Sequence, residues 1–316
     1  MDTERFRVSL CWWVSSLVFR VFPCSNIGPM SMRPFRSSPF LHSLIAAACV
    51  MAVATTPAAQ VSAPRPYRIL ISNDDGVRAP GLLAVAQALQ PLGEIIIAAP
   101  SDNQSGKGHS ITIADPVYVD RVTIGGNLPA YSISATPATC VKVGIRALMT
   151  AKPDLVVSGI NRGYNLGMVT YVSGTAGAAR EAALMGIPAI ASSLSDTESN
   201  YGAAAEIVRQ VVEVVKKNGL DPGVFLNVNV PPGPATAIKG IQLTRQSGLS
   251  GEERWEEQKT PRGRRYFWSV WNEPTGDPEG TDVWATEHGY AAVTPLHAGE
   301  FDQKAYDALR SRLTPR

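Results

Sequence analysis

Tyr67-Arg68-Ile69-Leu70-Ile71-Ser72-Asn73-Asp74-Asp75-Gly76 is the stretch that decides the fold. Its first six residues form a short, continuous apolar run with no polar alternation. Such a run reads as a strand buried on both faces, the habit of parallel sheets. The chain then turns polar at once. In open α/β sheets ligands bind beyond the carboxyl ends of the strands, so Asp74 and Asp75 fall where chemistry is done. Like charges this close tend to raise each other's pKa. A divalent cation relieves the conflict, and hard oxygen ligands suit Mg²⁺ or Mn²⁺. A single Asp here would read as an Asx turn capping the next helix. Two together, with Gly76 to let the backbone turn, favour a metal.

Outward from this strand the pattern alternates. A helix is predicted near 79–90, with Pro80 in its first turn and Leu82, Leu83, Val85, Ala86 and Leu89 on one face. IIIAA (95–99) is a second buried strand. Segments 117–124 and 130–134 read as extended, and a helix follows near 138–149. DLVVS (154–158) is a strand, with a glycine-rich loop to Gly174 and a helix near 175–185. Strands at 187–192 and 224–230 flank an amphipathic helix at 201–217. Strands alternating with helices predict a doubly wound, mostly parallel α/β sheet. After about 232 the character changes. Segment 247–287 is polar and aromatic, with Trp255, Trp268, Trp271 and Trp284. It reads as a projecting arm or hairpin packed on a partner subunit. A strand (290–295) and a helix (302–312) close the chain, making the domain 64–316 with a core of about 67–232 and a closing section of 288–316.

The 316 residues are 45% hydrophobic and 18% charged, with a net charge of +2. Residues 1–63 hold five Arg against Asp2 and Glu4, which leaves 24 basic and 25 acidic residues in 64–316. A body so balanced has no general attraction for nucleic acid or an anionic membrane. Arg33 and Arg36, the eleven-residue apolar run LIAAACVMAVA (44–54) and the small residues after it read as a secretory signal peptide. The run is too short to span a bilayer. The chain is therefore expected to be exported, periplasmic or secreted, and free of the membrane after cleavage. A retained anchor and a cytoplasmic location are the alternatives. Of Cys11, Cys24, Cys49 and Cys140, only the last survives cleavage, and it reads as a buried small hydrophobe.

Two further strand-end loops carry chemistry. Pro100-Ser101-Asp102-Asn103-Gln104-Ser105-Gly106 offers hydroxyls, amides and backbone N–H groups suited to an anion nest. Ser158-Gly159-Ile160-Asn161-Arg162-Gly163-Tyr164-Asn165-Leu166-Gly167 leads into Ser173-Gly174-Thr175-Ala176-Gly177, a helix start with unpaired amides and a favourable dipole for phosphate. Tight packing of a small-residue helix explains Ala176 to Ala179 but not Asn161 and Asn165. Lys107 and Arg162 are candidate phosphate contacts or solvated cations. His109, near the second loop, is read as a solvated loop residue, with a reach into the pocket as the alternative. No zinc spacing, G-x-S-x-G elbow, G-x-G-x-x-G or G-x-x-x-x-G-K-[ST] is present.

ILISNDDG, APSDNQSG, SGINRGYNLG and SGTAGAA, in this order, resemble the SurE survival-protein family, and GTDVWATEHGYAAVTPLH resembles its last strand region. The resemblance runs over roughly 67–297. It implies a Rossmann-like core, divalent-metal-dependent 5′- and 3′-nucleotidase activity, and homodimers or homotetramers joined by exchanged arms. Carried over by position, Asp74, Asp75, Ser105 and Asn161 would bind one metal ion per subunit. Asn73, Gly106, Asn165, Ser173, Gly174 and Thr175 would line the phosphate pocket, with Asp74, Asp75, Asn165 and Ser173 catalytic. The expected reaction is hydrolysis of a nucleoside monophosphate or similar phosphomonoester by metal-activated water. The alternative is a non-catalytic metal- and nucleotide-binding module of the same fold. Thr139 departs from the family's usual Asp, and 168–172 departs from its usual acidic loop.

Overall fold

The computed structural model describes residues 65–197 and 200–313. The expected signal peptide lies outside them. Nine strands form one sheet: β1 (Arg68–Ser72), β2 (Glu94–Pro100), β3 (Val119–Ile124), β4 (Leu128–Ile133), β5 (Leu155–Arg162), β6 (Ala189–Leu194), β7 (Val224–Val230), β8 (Ile241–Leu243) and β11 (Ala291–His297). Their order is β3-β4-β2-β1-β5-β6-β7-β11-β8. The pairs β4–β2, β2–β1, β1–β5, β5–β6, β6–β7 and β11–β8 are parallel. Only β3–β4 and β7–β11 are antiparallel within this sheet.

Along β1, Ile69 and Ile71 join one apolar cluster and Leu70 the other, all fully buried. This is why the run shows no alternation: both faces are covered. On the first face lie α1 (Pro80–Leu89) and α4 (Tyr201–Asn218). In α4, Ala204, Ile207, Val208, Val211, Val212 and Val215 recur at helical spacing and are buried. Asn200 starts this helix by accepting Ala203 N–H at 3.2 Å, and Gly219 at φ 74° ends it. Each such Val or Ile contributes about 1.5–3 kcal/mol by leaving water. On the second face lie α2 (Pro137–Val143) and α3 (Gly174–Leu184), whose small residues pack against Leu70, Val156 and Phe225. Cys140 is free and fully buried in this layer, as expected.

Four expectations need revision. The helix read as 138–149 is α-helical to Val143 and then continues as a wider π-helical turn, Gly144–Leu148. Strand β5 does not stop at 158. It continues to Arg162, with an irregular register against β6 between Ser158 and Asn161. Gly159 lies there at φ 131°, and a Cβ would stand 2.3 Å from Ser192 O, so only glycine fits. Part of the loop assumed to be irregular, Gly167–Tyr171, is a 3₁₀ turn. The arm is shorter than 247–287. Its two strands, β9 (Glu252–Lys259) and β10 (Arg265–Asn272), form a separate antiparallel hairpin. Trp284 belongs to a short helix, α5 (Asp282–Glu287), where Thr281 caps the first turn and the indole stacks on His288 at 4.0 Å. Strand β8 had no counterpart in the sequence reading, because three residues are too few to show a period. The closing helix α6 (Gln303–Leu313) has its side chains exposed wherever they are described.

Candidate functional site

The chain runs from β1 outward to β2 on one side and to β5 and β6 on the other. The strand order therefore reverses between β1 and β5, and such a switch point opens a crevice at the carboxyl ends of the strands. Three loops meet at this rim. The first leaves β1 at Asn73. Asn73 is fully buried, and its Nδ2 donates to Gly76 O at 2.9 Å, closing the turn that carries Asp74 and Asp75. Its Oδ1 is buried with no partner among the described residues. The second loop is pinned to the first by Gln104 N–H donating to Asp74 O at 2.7 Å, which brings the neighbouring Ser105 to the same rim. Ser105 and Gly106 are exposed, and the space above Gly106 Cα is open. The third loop is joined by Arg162 N–H, which donates to Asp75 Oδ2 at 3.1 Å. Asn161, one residue earlier, uses Nδ2 on Gly163 O at 2.7 Å, which leaves its carbonyl oxygen for a ligand. Loops far apart in sequence are thus tied together at one edge of the sheet.

Helix α3 points its N-terminus at the same place, but its end is not open. Ser173 accepts Ala176 N–H at 3.0 Å as the N-cap. The Thr175 hydroxyl donates to Asp74 Oδ1, and the backbone N–H groups of Gly174 and Thr175 turn to the same carboxylate. The expectation of unpaired amides at Ser173-Gly174-Thr175 is therefore corrected. The chain's own Asp74 caps them, because buried donors are rarely left unmatched. Gly174 makes this approach possible: a Cβ there would stand 2.8 Å from Asp74 Cβ.

Asn165 is also more engaged than expected. Its Nδ2 donates to Ser193 Oγ at 2.8 Å. Its backbone N–H is accepted by Asn229 Oδ1 at 2.9 Å, and its carbonyl receives Asn227 Nδ2 at 2.7 Å and Asn229 Nδ2 at 3.3 Å. Asn227 and Asn229 were not singled out from the sequence. The signal was present as two fully buried amides in an apolar strand, which must serve something. The loop is braced again where Asp282 accepts Gly167 N–H and Ser247 N–H, both at 2.9 Å.

The electrostatics match paired carboxylates short of compensation. Burial raises the Asp74 carboxyl above its usual range, against the pull of Thr175. Burial, then the negative Asp74, push Asp75 up to about 6. His109 is not the solvated residue expected. Its Nε2 lies 2.9 Å from Glu181 Oε2, on the flank of α3. Thr139 is buried and accepts Thr112 N–H at 2.8 Å, so it fixes a neighbouring loop instead of meeting the two carboxylates. Lys107 and Arg162 are exposed. Among the described residues the Arg162 guanidinium donates to Asp196 O, at 3.5 Å. Among the described residues no three His, Cys, Asp or Glu side chains cluster as a metal site. Any cation here must rely on the aspartate pair with neutral oxygens. That set fits a hard cation: two under-compensated carboxylates, the open Asn161 carbonyl and the Ser105 hydroxyl.

Known proteins carry the same architecture. The family model "Survival protein SurE" matches residues 69–253. A 5′-nucleotidase SurE of Geotalea uraniireducens is 43% identical over 77% of this chain and 98% of its own length. Another, from Geobacter sulfurreducens, is 44% identical over 77% of this chain and 92% of its own. The crystal structure of the SurE protein from Aquifex aeolicus superposes with a TM-score of 0.68 at 37% identity, covering 78% of this chain and 99% of that one. With the rim loops in place and these matches spanning the sheet, the chain belongs to the SurE family.

Proposed function

We propose that this protein is a metal-dependent phosphomonoesterase that hydrolyses nucleoside 5′-monophosphates, and 3′-monophosphates as a second class. The observation that supports the reading is that the loops after β1, β2 and β5 are tied together at the switch point, Gln104 N–H to Asp74 O and Arg162 N–H to Asp75 Oδ2, each next in sequence to Ser105 or Asn161. The named relatives are 5′-nucleotidases, which supports the substrate class.

Asp74, Asp75, Ser105 and Asn161 would hold one Mg²⁺ or Mn²⁺ ion. When bound, the ion supplies charge neutralisation for the phosphoryl group and acidifies a water. The rest falls to the chain's own groups. Asp74 is held by Thr175, so its position is fixed before substrate arrives. Asp75 sits at the rim, oriented by Arg162 N–H on its Oδ2, where it is placed to accept a proton from an attacking water. The Ser173 hydroxyl proton is not used by the helix cap and is free to be given to a phosphate oxygen. Asn165 has one N–H left after Ser193 and is anchored on three sides, which favours orientation of substrate over mobility. No side-chain nucleophile is needed, and the attack is in line on phosphorus.

A signal peptide in 1–63 and assembly through the β9–β10 arm complete the reading as an exported oligomer. No helix of the described residues is long and apolar enough to cross a membrane. The test is hydrolysis of AMP, GMP and their 3′ isomers by the full chain with Mn²⁺, with Mg²⁺ and with EDTA. Release of phosphate that needs the ion, and that EDTA abolishes reversibly, is expected. Ion binding without turnover of any of these would assign a binding module instead.

A further inference from the structure

Helix α3 buries two adjacent charges and treats them unequally. Glu181, 6% exposed, meets Lys142 Nζ at 3.0 Å and His109 Nε2 at 2.9 Å. Arg180, 7% exposed, has no carboxylate in ion-pair range and no hydrogen-bond partner among the described residues. Its guanidinium lies 5.6 Å from the ring centres of Tyr171 and Phe225. Glu181 cannot serve it, because consecutive helical residues diverge by about 100°. Two aromatic faces are weak compensation for a buried cation, which is normally matched by a counter-charge. Burial accordingly pulls the Arg180 pKa down.

The guanidinium borders a cavity of about 600 Å³, whose walls include Tyr171, Gln246, His297 and Glu300. Gln246 is fixed by donating Nε2 to Gly167 O and Thr170 Oγ1, both at 2.9 Å. His297 Nδ1 lies 3.0 Å from Gly299 N and 3.3 Å from Gly299 O, which fixes the ring at the cavity wall. Glu300 is exposed, and its charge acts on Arg180 without pairing with it. Arg180 is six residues along α3 from Gly174, roughly 9 Å at helical rise, so the cavity is separate from the aspartate pair yet neighbours it.

We infer that this cavity is a second anion-binding site, in which the Arg180 guanidinium receives a phosphate or carboxylate oxyanion. A planar guanidinium with unused donors is matched to that geometry. Two sources share the chemistry: a free oxyanion such as inorganic phosphate, and a second phosphate on a substrate held at the aspartate pair.

The test is calorimetric titration of the full chain, in EDTA, with inorganic phosphate. Arg180→Gln is expected to weaken the affected site by about tenfold or more, as loss of a charged hydrogen-bond donor implies. Arg180→Lys keeps the charge and is expected to lie between the two. Unchanged phosphate affinity in folded Arg180→Gln overturns the assignment. Should that variant fail to fold, Glu300→Gln decides: removing the like charge is expected to tighten phosphate roughly threefold, and unchanged or weaker binding overturns it. Kinetics then separate the sources. A KM raised by Arg180→Gln only for a nucleoside 3′,5′-bisphosphate assigns the substrate's second phosphate. Equal KM values for mono- and bisphosphate, with phosphate binding weakened, assign the free anion. The titration does not need turnover, so it can fail or succeed independently of the proposed activity.

Discussion

At the rim of the sheet, Asn73, Asp74, Asn161, Asn165, Ser173 and Thr175 are all buried, whereas in the hairpin every residue from Glu252 to Lys259 is exposed. The hairpin is nonetheless dense in aromatic surface, with Trp255 62% and Trp268 61% exposed. Its two strands are joined by an antiparallel backbone ladder and by cross-strand side-chain partners such as Arg265–Glu257 and Tyr266–Gln258. Exposed ion pairs of that kind contribute about 0–1 kcal/mol each. The rim is held instead by buried hydrogen bonds whose loss strands a partner, at about 1–3 kcal/mol each. The two regions therefore differ in what a substitution does. At the rim it disturbs geometry and chemistry together. In the hairpin it alters a surface and leaves the sheet alone.

The comparison can be broken in four places. Asp75→Ala is expected to lower kcat on AMP on the order of 10³-fold or more, with a native far-ultraviolet dichroism spectrum. Near-native turnover would remove the aspartate pair from the chemistry. Gly174→Val comes next. Its Cβ has nowhere to go beside Asp74 and Pro137, so an overpacking cost of about 1–3 kcal/mol is expected, read as a lower urea midpoint with activity falling alongside. Stability at the wild-type value would mean that α3 and Asp74 move apart freely.

The third concerns the root of the arm. Glu273 is pushed up to about 7, first by burial and then by the negative Asp196, with Tyr164 N–H pulling the other way. A carboxyl raised in the folded state binds its proton more tightly there than in the unfolded chain. It contributes stability that is complete below its usual 4.5 and is lost as pH rises through about 7. Glu273→Gln should therefore leave the melting temperature unchanged at pH 4 and raise it slightly at pH 8. With solvent screening allowed for, roughly 1 kcal/mol is at stake, about 2–4 °C for a domain of this size. An equal effect at both pH values would refute this placement of the charge. The smallest effect is expected from replacing 252–272 with a short Gly-Ser turn. The melting temperature of the sheet should move by less than about 2 °C, while the mass by light scattering falls to that of one chain. A large loss of stability would show the arm to be part of the core.

Much of this was legible in the sequence, and the limits have physical causes. Buried strands β1, β2, β5 and β7 announce themselves as apolar runs, and α4 by its period, because burial on two faces or one imposes those patterns directly. Asp74 and Asp75 stood out because a charged pair after a buried strand has few other uses. The extension of β5 through Asn161 was not legible, since Gly159 and Asn161 read as loop residues until a neighbouring strand accepts them. Nor was the engagement of Gly174 and Thr175: a helix N-terminus looks open in sequence, and only its approach to Asp74 shows that it is capped.

The sequence by itself determined the doubly wound sheet, the rim loops and the residue types brought to them, because periodicity and turn chemistry are local. The tertiary structure decided which donors are already used. Asn165 is held by Ser193, Asn227 and Asn229, and His109 by Glu181, while Arg180, next to Glu181 in sequence, meets no carboxylate among the described residues. Partnership between buried polar groups depends on separations across the fold, and no local pattern encodes them.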